Sequence, residues 1–310
     1  MAKLLTVFGA TGQQGGSVVD YVLNDPELSK QFKVRGITRD LTKPAAQALQ
    51  QKGVEVVQAD ADDKESLQQA MHGAHTVFGV TATIYDAKLK ERELAQGKAM
   101  TDAAVAAGVQ YFIFSTLSNA GKMSGGKLQK LAHFDVKAEI EDYIRAQPMK
   151  SAFFAPGSFM QNFGHFMGPS PAGDGTYAVA HFVTPETQLP LIDTVDDSGK
   201  YIGAILASPD KYEGKVFSAA TRLYTYSEIV ATMSKASSKT VHYKRLPLDV
   251  WSSFLPAESA DYLVDMFLWI QDYGYYGPQT VELVDWTAKQ ARGKLTTLEE
   301  YFAKSPLHLQ

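Results

Sequence analysis

Residues 4–16 read Leu-Leu-Thr-Val-Phe-Gly-Ala-Thr-Gly-Gln-Gln-Gly-Gly. The apolar run Leu4 to Phe8 has the length and composition of a buried strand, and a helical pattern opens at Gly16 and runs to Leu23. Between them Gly9, Gly12 and Gly15 recur at every third position. The first glycine permits a sharp exit from the strand. The second admits a pyrophosphate against bare backbone, and the third lets helix and strand pack closely. N–H groups at the helix start then face anionic oxygens, with the helix dipole in the same sense. The stretch predicts a dinucleotide site, with Gly9, Ala10, Thr11, Gly12, Gln13, Gln14 and Gly15 along the phosphates.

Outward from this turn, apolar runs alternate with helical patterns. Strands are expected at Phe32–Thr38, Val54–Gln58, Thr76–Thr81, Tyr111–Ser115 and Ser151–Ala155. Helices are expected at Lys43–Lys52, Lys64–Met71, Asp86–Ala107 and Leu128–Gln147, with Gly108 and Pro148 stopping the last two. Strands alternating with helices imply parallel pairing through right-handed crossovers. The runs are apolar throughout, which suits a sheet covered on both faces. The expected fold class is α/β: a Rossmann-type doubly wound parallel sheet over residues 1–155. A smaller C-terminal α+β lid or substrate domain is expected over residues 156–310. Residues 156–195 are rich in Gly, Pro and Phe. Tyr201–Ala207, Tyr226–Lys235, residues 248–273 and Leu298–Ala303 read as helical, and Lys215–Ala219 as a strand that can return to the main sheet.

Composition removes several chemistries. The 310 residues include no cysteine, which excludes disulfides, thiolate nucleophiles and zinc–thiolate sites. A net charge of -4 with both signs interspersed gives no basic stripe for nucleic acid. The N-terminal apolar run is too short for a signal peptide, and no stretch approaches a membrane span. A cytoplasmic, or alternatively nuclear, location is expected. His72 and His75 lack a third ligand and read as surface residues, so no metal site is expected. Gly121 to Lys127 matches G-x-x-x-x-G-K, but Leu128 stands where a nucleotide-binding P-loop needs Ser or Thr. This segment reads instead as a flexible loop over the cofactor site.

The end of the second strand chooses the cofactor. A site for NAD usually ends this strand with an acid on the ribose 2′-hydroxyl. Here the order is Thr38-Arg39-Asp40, with Lys43 a turn further on. A guanidinium clamps a 2′-phosphate, so Arg39 and Lys43 favour NADP over NAD, and Asp40 is expected to point away. Asp60 and Ala61 are expected at the adenine, with Asp62 or Asp63 capping the next helix. Thr81, Ala82 and Thr83 end the fourth strand beside the expected nicotinamide ribose.

Reduction through this cofactor in short-chain dehydrogenases uses Tyr-x-x-x-Lys after the fifth strand. None of the 15 tyrosines has Lys four residues later. That helix carries His133-Phe134-Asp135-Val136-Lys137, with Lys137 at the ribose-binding position and His133 in place of the tyrosine. Imidazole titrates near neutral pH and can serve as a general acid, although a neighbouring Lys137 cation lowers its pKa. Packing is the competing role for His133. These pieces, with Gln58 to Asp63 and Pro156 to Asn162, resemble the NmrA-like family of atypical short-chain dehydrogenases. The resemblance covers about the first 165 residues closely. It implies NADP held by the glycine loop, Arg39, Lys43, Asp60, Ala61, Thr81–Thr83, Lys137 and the segment with Ser158, Phe159, Gln161 and Asn162. The family pattern has a basic residue near position 95, where this chain has Ala95. It also implies two functions between which the resemblance does not choose. One is an NADP-dependent oxidoreductase acting on a small organic substrate. The other is a non-catalytic redox sensor that regulates a transcription factor or other protein partner. Two groups are aromatic: Phe153 to Met167 read as core or as substrate-pocket lining, and Trp251 to Tyr276 as core first, with a pocket lid or a partner surface as the alternative.

Overall fold

The computed structural model describes residues 2–309, so Met1 and Gln310, the ends of the two expected segments, lie outside the described residues. The first half runs β1 (Lys3–Val7), α1 (Gln13–Asn24), α2 (Leu28–Gln31), β2 (Phe32–Thr38), α3 (Pro44–Gln51), β3 (Glu55–Gln58), α4 (Lys64–Met71), β4 (Thr76–Gly79), α5 (Leu89–Ala106), β5 (Tyr111–Ser115), α6 (Ala120–Met123), α7 (Ala132–Arg145) and β6 (Lys150–Pro156). The second half runs β7 (Ser158–Phe159), a 3-10 turn at Met160–Gly164, β8 (Ser170–Pro171), β9 (Tyr177–His181), β10 (Gln188–Ile192), α8 (Thr194–Ala207), α9 (Pro209–Tyr212), β11 (Val216–Ala219), β12 (Arg222–Thr225), α10 (Tyr226–Ser237), β13 (Val241–Arg245), α11 (Leu248–Ser252), α12 (Ala257–Tyr273), α13 (Thr280–Ala288) and α14 (Leu298–Lys304).

Seven parallel strands form one sheet in the order β11-β6-β5-β4-β1-β2-β3. Winding reverses between β4 and β1, which opens a crevice at the carboxyl ends of those strands. Both faces are covered, as the continuous apolar runs require. Phe154 packs in a cluster with Val18, Val22 and Ile205, whereas its neighbour Phe153 packs with Leu67, Met100 and Ile140. Adjacent side chains of one strand thus feed opposite layers.

The chain after residue 156 contributes to both layers. β11 joins the sheet edge beside β6. α8 lies directly on α1 because Gly199 and Gly203 clear the way. A Cβ on either would fall 2.4 Å from Ser17 O or 2.3 Å from Tyr21 Cε1. The rest forms a cap: two small sheets, β12-β10-β7 and β13-β9-β8, and helices around Trp251, Phe267, Trp269, Tyr276 and Phe302.

Element limits depart from the sequence reading where side chains intervene. α5 begins at Leu89 rather than Asp86, since the Asp86 carboxylate accepts from Lys88 N at 2.9 Å and binds Arg92, which holds a turn. α7 begins at Ala132 rather than Leu128. The aromatic stretch 248–273 is two helices, α11 and α12, parted at Pro256. Among the described residues no helix is long and apolar enough to cross a membrane.

Candidate functional site

The carboxyl ends of β1 to β6 gather at one edge of the sheet, and the glycine loop sits at its centre. Gly9 has φ +63°, a left-handed conformation that favours glycine, and its carbonyl accepts from Gly12 N at 2.9 Å. A Cβ on Gly15 would fall 2.3 Å from Gly9 O and 2.8 Å from Phe8 O, both rigid backbone. The start of α1 is thereby pressed onto the strand. Gly12 is the N-cap and supplies no side-chain acceptor, so no protein oxygen covers the first N–H groups from that position. A dinucleotide pyrophosphate fits this cradle of bare backbone and helix start. Around it Ala10 is buried, with its N–H donating to Ile37 O, and Thr11 and Gln13 are exposed. Gln14 reaches across the crevice, where its Oε1 accepts from Ser115 Oγ at 2.8 Å.

Arg39 and Lys43 extend the loop towards β2 and β3. Both are exposed, and neither forms an ion pair among the described residues. Asp40 turns aside: its carboxylate accepts from Thr42 N and Oγ1 at 2.9 and 2.6 Å, which lowers its pKa. Asp63 caps α4 by accepting from Glu65 N and Ser66 N. Asp62 accepts from Gln96 instead, while Asp60 and Ala61 stay half-buried at the end of β3.

The expected nicotinamide end holds a group that the sequence reading missed. Glu93, from α5, is 1% exposed and lies 2.5 Å from Lys137 Nζ. Thr81 Oγ1 donates to the same Glu93 oxygen at 2.6 Å, and Thr83 Oγ1 at 3.4 Å. Lys137 also donates to Thr81 Oγ1 and Thr81 O at 3.0 and 3.3 Å. An ammonium has three N–H groups, and all three have partners here. Glu93 Oε2 is buried without one. Ala82, between the threonines, is exposed.

His133 lies one turn before Lys137, buried against Phe134, Tyr85 and Tyr262. Burial, reinforced by the Lys137 cation and opposed by Glu93, brings its pKa down to about 4. The ring is therefore neutral at pH 7, and the expectation of a cationic acid near neutrality meets a dry environment.

Elsewhere, residues expected at one edge have other engagements. Gln161 Nε2 donates to Asp193 Oδ1 at 2.7 Å, and Asp193 caps α8. Ser158 and Phe159 pair with Leu191 and Ile192, and Asn162 is half-buried in the following turn. Phe153, Phe154 and Phe163 are core, whereas Phe166 is 73% exposed. The Gly121–Lys127 segment, expected as a flexible loop, is tied down by Gly121 N donating to Asp135 Oδ1 at 3.0 Å. A cavity of about 560 Å³ between Lys3, His75, Tyr111 and Lys150 opens at the amino ends of the strands, opposite this edge.

Sheet order and loop define a Rossmann-type doubly wound α/β protein. The NmrA-like family model matches residues 1–302. An NmrA-like family domain-containing oxidoreductase of Penicillium ochrochloron is 30% identical, over 97% of this chain and 97% of its own. NmrA, a negative transcriptional regulator crystallised in complex with NADP, superposes with a TM-score of 0.80 at 22% identity, over 97% of this chain and 94% of that one. For triphenylmethane reductase of Citrobacter sp., complexed with NADP(H), the TM-score is 0.77 at 20% identity, over 98% and 99%. The chain belongs to the NmrA-like family.

Proposed function

We propose that the chain is an NADP(H)-dependent oxidoreductase acting on a small organic substrate, with NAD as a weaker cofactor. The observation that carries this reading is the bare cradle of Gly9 to Gly15 under the start of α1, with the exposed Arg39 guanidinium, in no ion pair among the described residues, at its proposed 2′-phosphate end. The bound cofactor supplies a hydride. The glycine loop, with Ala10, Thr11, Gln13 and Gln14, holds the pyrophosphate. Arg39 and Lys43 bind the 2′-phosphate, and Asp60 and Ala61 border the adenine. Thr81 to Thr83 and Lys137 hold the nicotinamide ribose, and Ser158, Phe159, Gln161 and Asn162 border the ring. The relatives support this reading: the Penicillium protein is named an oxidoreductase, and the Citrobacter reductase was crystallised with NADP(H).

Proton delivery narrows the chemistry. His133 is neutral at pH 7, and it stands where the short-chain dehydrogenase pattern has its tyrosine. A hydride added to an isolated ketone leaves an alkoxide that needs a proton donor in the site. A conjugated acceptor is left instead as a delocalised anion that takes its proton from water. The second reading, a redox sensor acting on a protein partner, draws on the same neutral His133 and on the likeness to a transcriptional regulator.

Titration of NADP, NADPH and NAD against the wild type and Arg39→Ala tests the proposal, together with NADPH oxidation over a panel of ketones and quinones. Arg39→Ala is expected to weaken NADP at least tenfold more than NAD. Equal losses would remove the 2′-phosphate assignment. Tight NADP binding without turnover of any acceptor would favour the sensor.

A further inference from the structure

The amino edge of the seven-stranded sheet takes no part in the proposed function, yet it holds the cavity of about 560 Å³. The first residues of five adjacent strands line it: Lys150 of β6, Tyr111 of β5, Thr76 of β4, Lys3 of β1 and Phe32 of β2. Val105 near the end of α5 and Leu206 near the end of α8 line it as well. Phe32, Val109, Tyr111 and Leu206 are buried, so side chains of the core give it an apolar wall.

Most polar side chains around the cavity are matched within the protein. Tyr111 donates to Pro209 O at 2.9 Å, and Gln110 Nε2 donates to Gly108 O at 2.7 Å. Lys150 Nζ lies 2.8 Å from Asp210 and 3.2 Å from Glu213. His75 Nδ1 and Thr76 Oγ1 are 2.9 Å apart, which leaves His75 Nε2 without a partner among the described residues. The Lys3 ammonium has no partner at all among them. Burial, reinforced by the Lys3 cation, lowers the His75 pKa, so the ring is neutral at pH 7.

We propose that this cavity binds a small organic acid, with its carboxylate at Lys3 and His75 Nε2 and its apolar body along Phe32, Val109 and Leu206. Size admits such a ligand, since the volume lies within the roughly 300–1,000 Å³ typical of small-molecule sites. Charge sets the head group, because one unmatched ammonium calls for one anion. A neutral imidazole has a single ring proton, and Thr76 donating to Nδ1 puts that proton on Nε2, as a second donor to the acid. Asp210 does not oppose this: its side chain is 85% exposed, paired with Lys150 and screened by water. The core side chains set the body, which has to be apolar to gain from that wall. Position separates the site from the proposed chemistry. Ligands of open α/β sheets take the crevice at the carboxyl ends of the strands, so the acid binds alongside a dinucleotide and does not compete with it.

Calorimetric titration with hydrocinnamate and its uncharged amide, with and without saturating NADP, tests the site. The acid should bind saturably and more tightly than the amide. Added sodium chloride should weaken the acid and leave the amide unchanged. Lys3→Met should weaken the acid about 3- to 5-fold, the scale of an ion pair at an exposed ammonium, and leave the amide alone. Val105→Trp, which fills the cavity from a half-buried position, should abolish binding of both and leave NADP affinity unchanged. No saturable binding to the wild type, equal affinity for acid and amide, an acid affinity indifferent to Lys3→Met, or displacement of the acid by NADP overturns the proposal. The same pattern in a protein that bound no NADP would support the acid site and remove the cofactor reading, so the two fail separately.

Discussion

Glu93→Ala isolates the buried pair at the proposed nicotinamide end. The Lys137 and Glu93 side chains are 11% and 2% exposed, with 2.5 Å between Nζ and Oε1. Removing the carboxylate leaves Lys137 with its two bonds to Thr81 and no countercharge. Breaking a buried pair from one side costs about 3–5 kcal/mol, because the surviving charge stays in the dry site. Unfolding entropy of about 2.1 cal/mol/K per residue gives about 0.65 kcal/mol/K for this chain, so Tm should fall by about 6 °C. Glu93→Gln, which keeps an acceptor oxygen, should fall by less. The double variant Glu93→Met/Lys137→Met should recover most of the loss, since an apolar pair of similar volume is often neutral or stabilising. Scanning calorimetry at pH 7.5 reads all three. A Glu93→Ala Tm within 1 °C of the wild type (, about 0.6 kcal/mol), or a double variant no more stable than Glu93→Ala, would refute the reasoning. NADP titration of the double variant then separates roles. Stability without NADP affinity places Lys137 on the cofactor; stability with full affinity makes the pair structural.

Other outcomes follow from single positions. Gly15→Ala places a Cβ 2.3 Å from Gly9 O, so α1 must shift off the strand. A cost of about 1–3 kcal/mol and at least a tenfold loss of NADP affinity are expected, and a variant that binds NADP normally would contradict the close-packed cradle. His181 accepts from Phe182 N and Val183 N inside an aromatic cage, and burial lowers its pKa to about 3. Because its folded pKa lies below the unfolded value near 6.5, its stabilising contribution is complete above pH 6.5 and is lost as pH falls towards 3. That amounts to about 2 kcal/mol by pH 5. Urea midpoints measured from pH 7.5 to 5 should decline accordingly, and His181→Asn, which keeps an acceptor without titrating there, should flatten the slope by up to one proton. An unchanged slope would show that His181 does not set it.

What the sequence discloses depends on how local the cause is. The glycine loop is legible because strand, turn and helix are contiguous, and Gly9 and Gly15 are dictated by backbone only a few residues away. Asp63 was readable as a cap for the same reason. The cap was less legible. β13 is a short edge strand reading Val-His-Tyr-Lys-Arg, and α13 is rich in Thr and Val, so neither carries a strong pattern. The limits of α5 and α8 are set by Asp86 with Arg92 and by Asp193 with Gln161, partnerships that a propensity reading does not weigh.

Glu93 shows where a signal was present but masked. Residues 88 to 93 read Lys-Leu-Lys-Glu-Arg-Glu, a charge run that suggests a solvated helix face. Yet Leu89, Glu93, Gly97 and Met100 fall on one helical stripe, and all four are buried in α5. A carboxylate on an apolar stripe needs a cation, and Lys137 is the cation that packing of α5 against α7 brings to it. That pairing alters the meaning of the lysine. Read alone, Lys137 is a free amine waiting for a ribose; in the structure its three N–H groups are engaged, and ribose binding through Lys137 would have to exchange one of them. Exchanging a Thr81 bond would leave the ion pair intact, whereas exchanging the Glu93 bond would strand a buried carboxylate. The lower-cost route therefore runs through Thr81, which makes Thr81→Val the variant that best separates ribose binding from the ion pair itself: NADP affinity should change while the Glu93–Lys137 contribution to Tm persists.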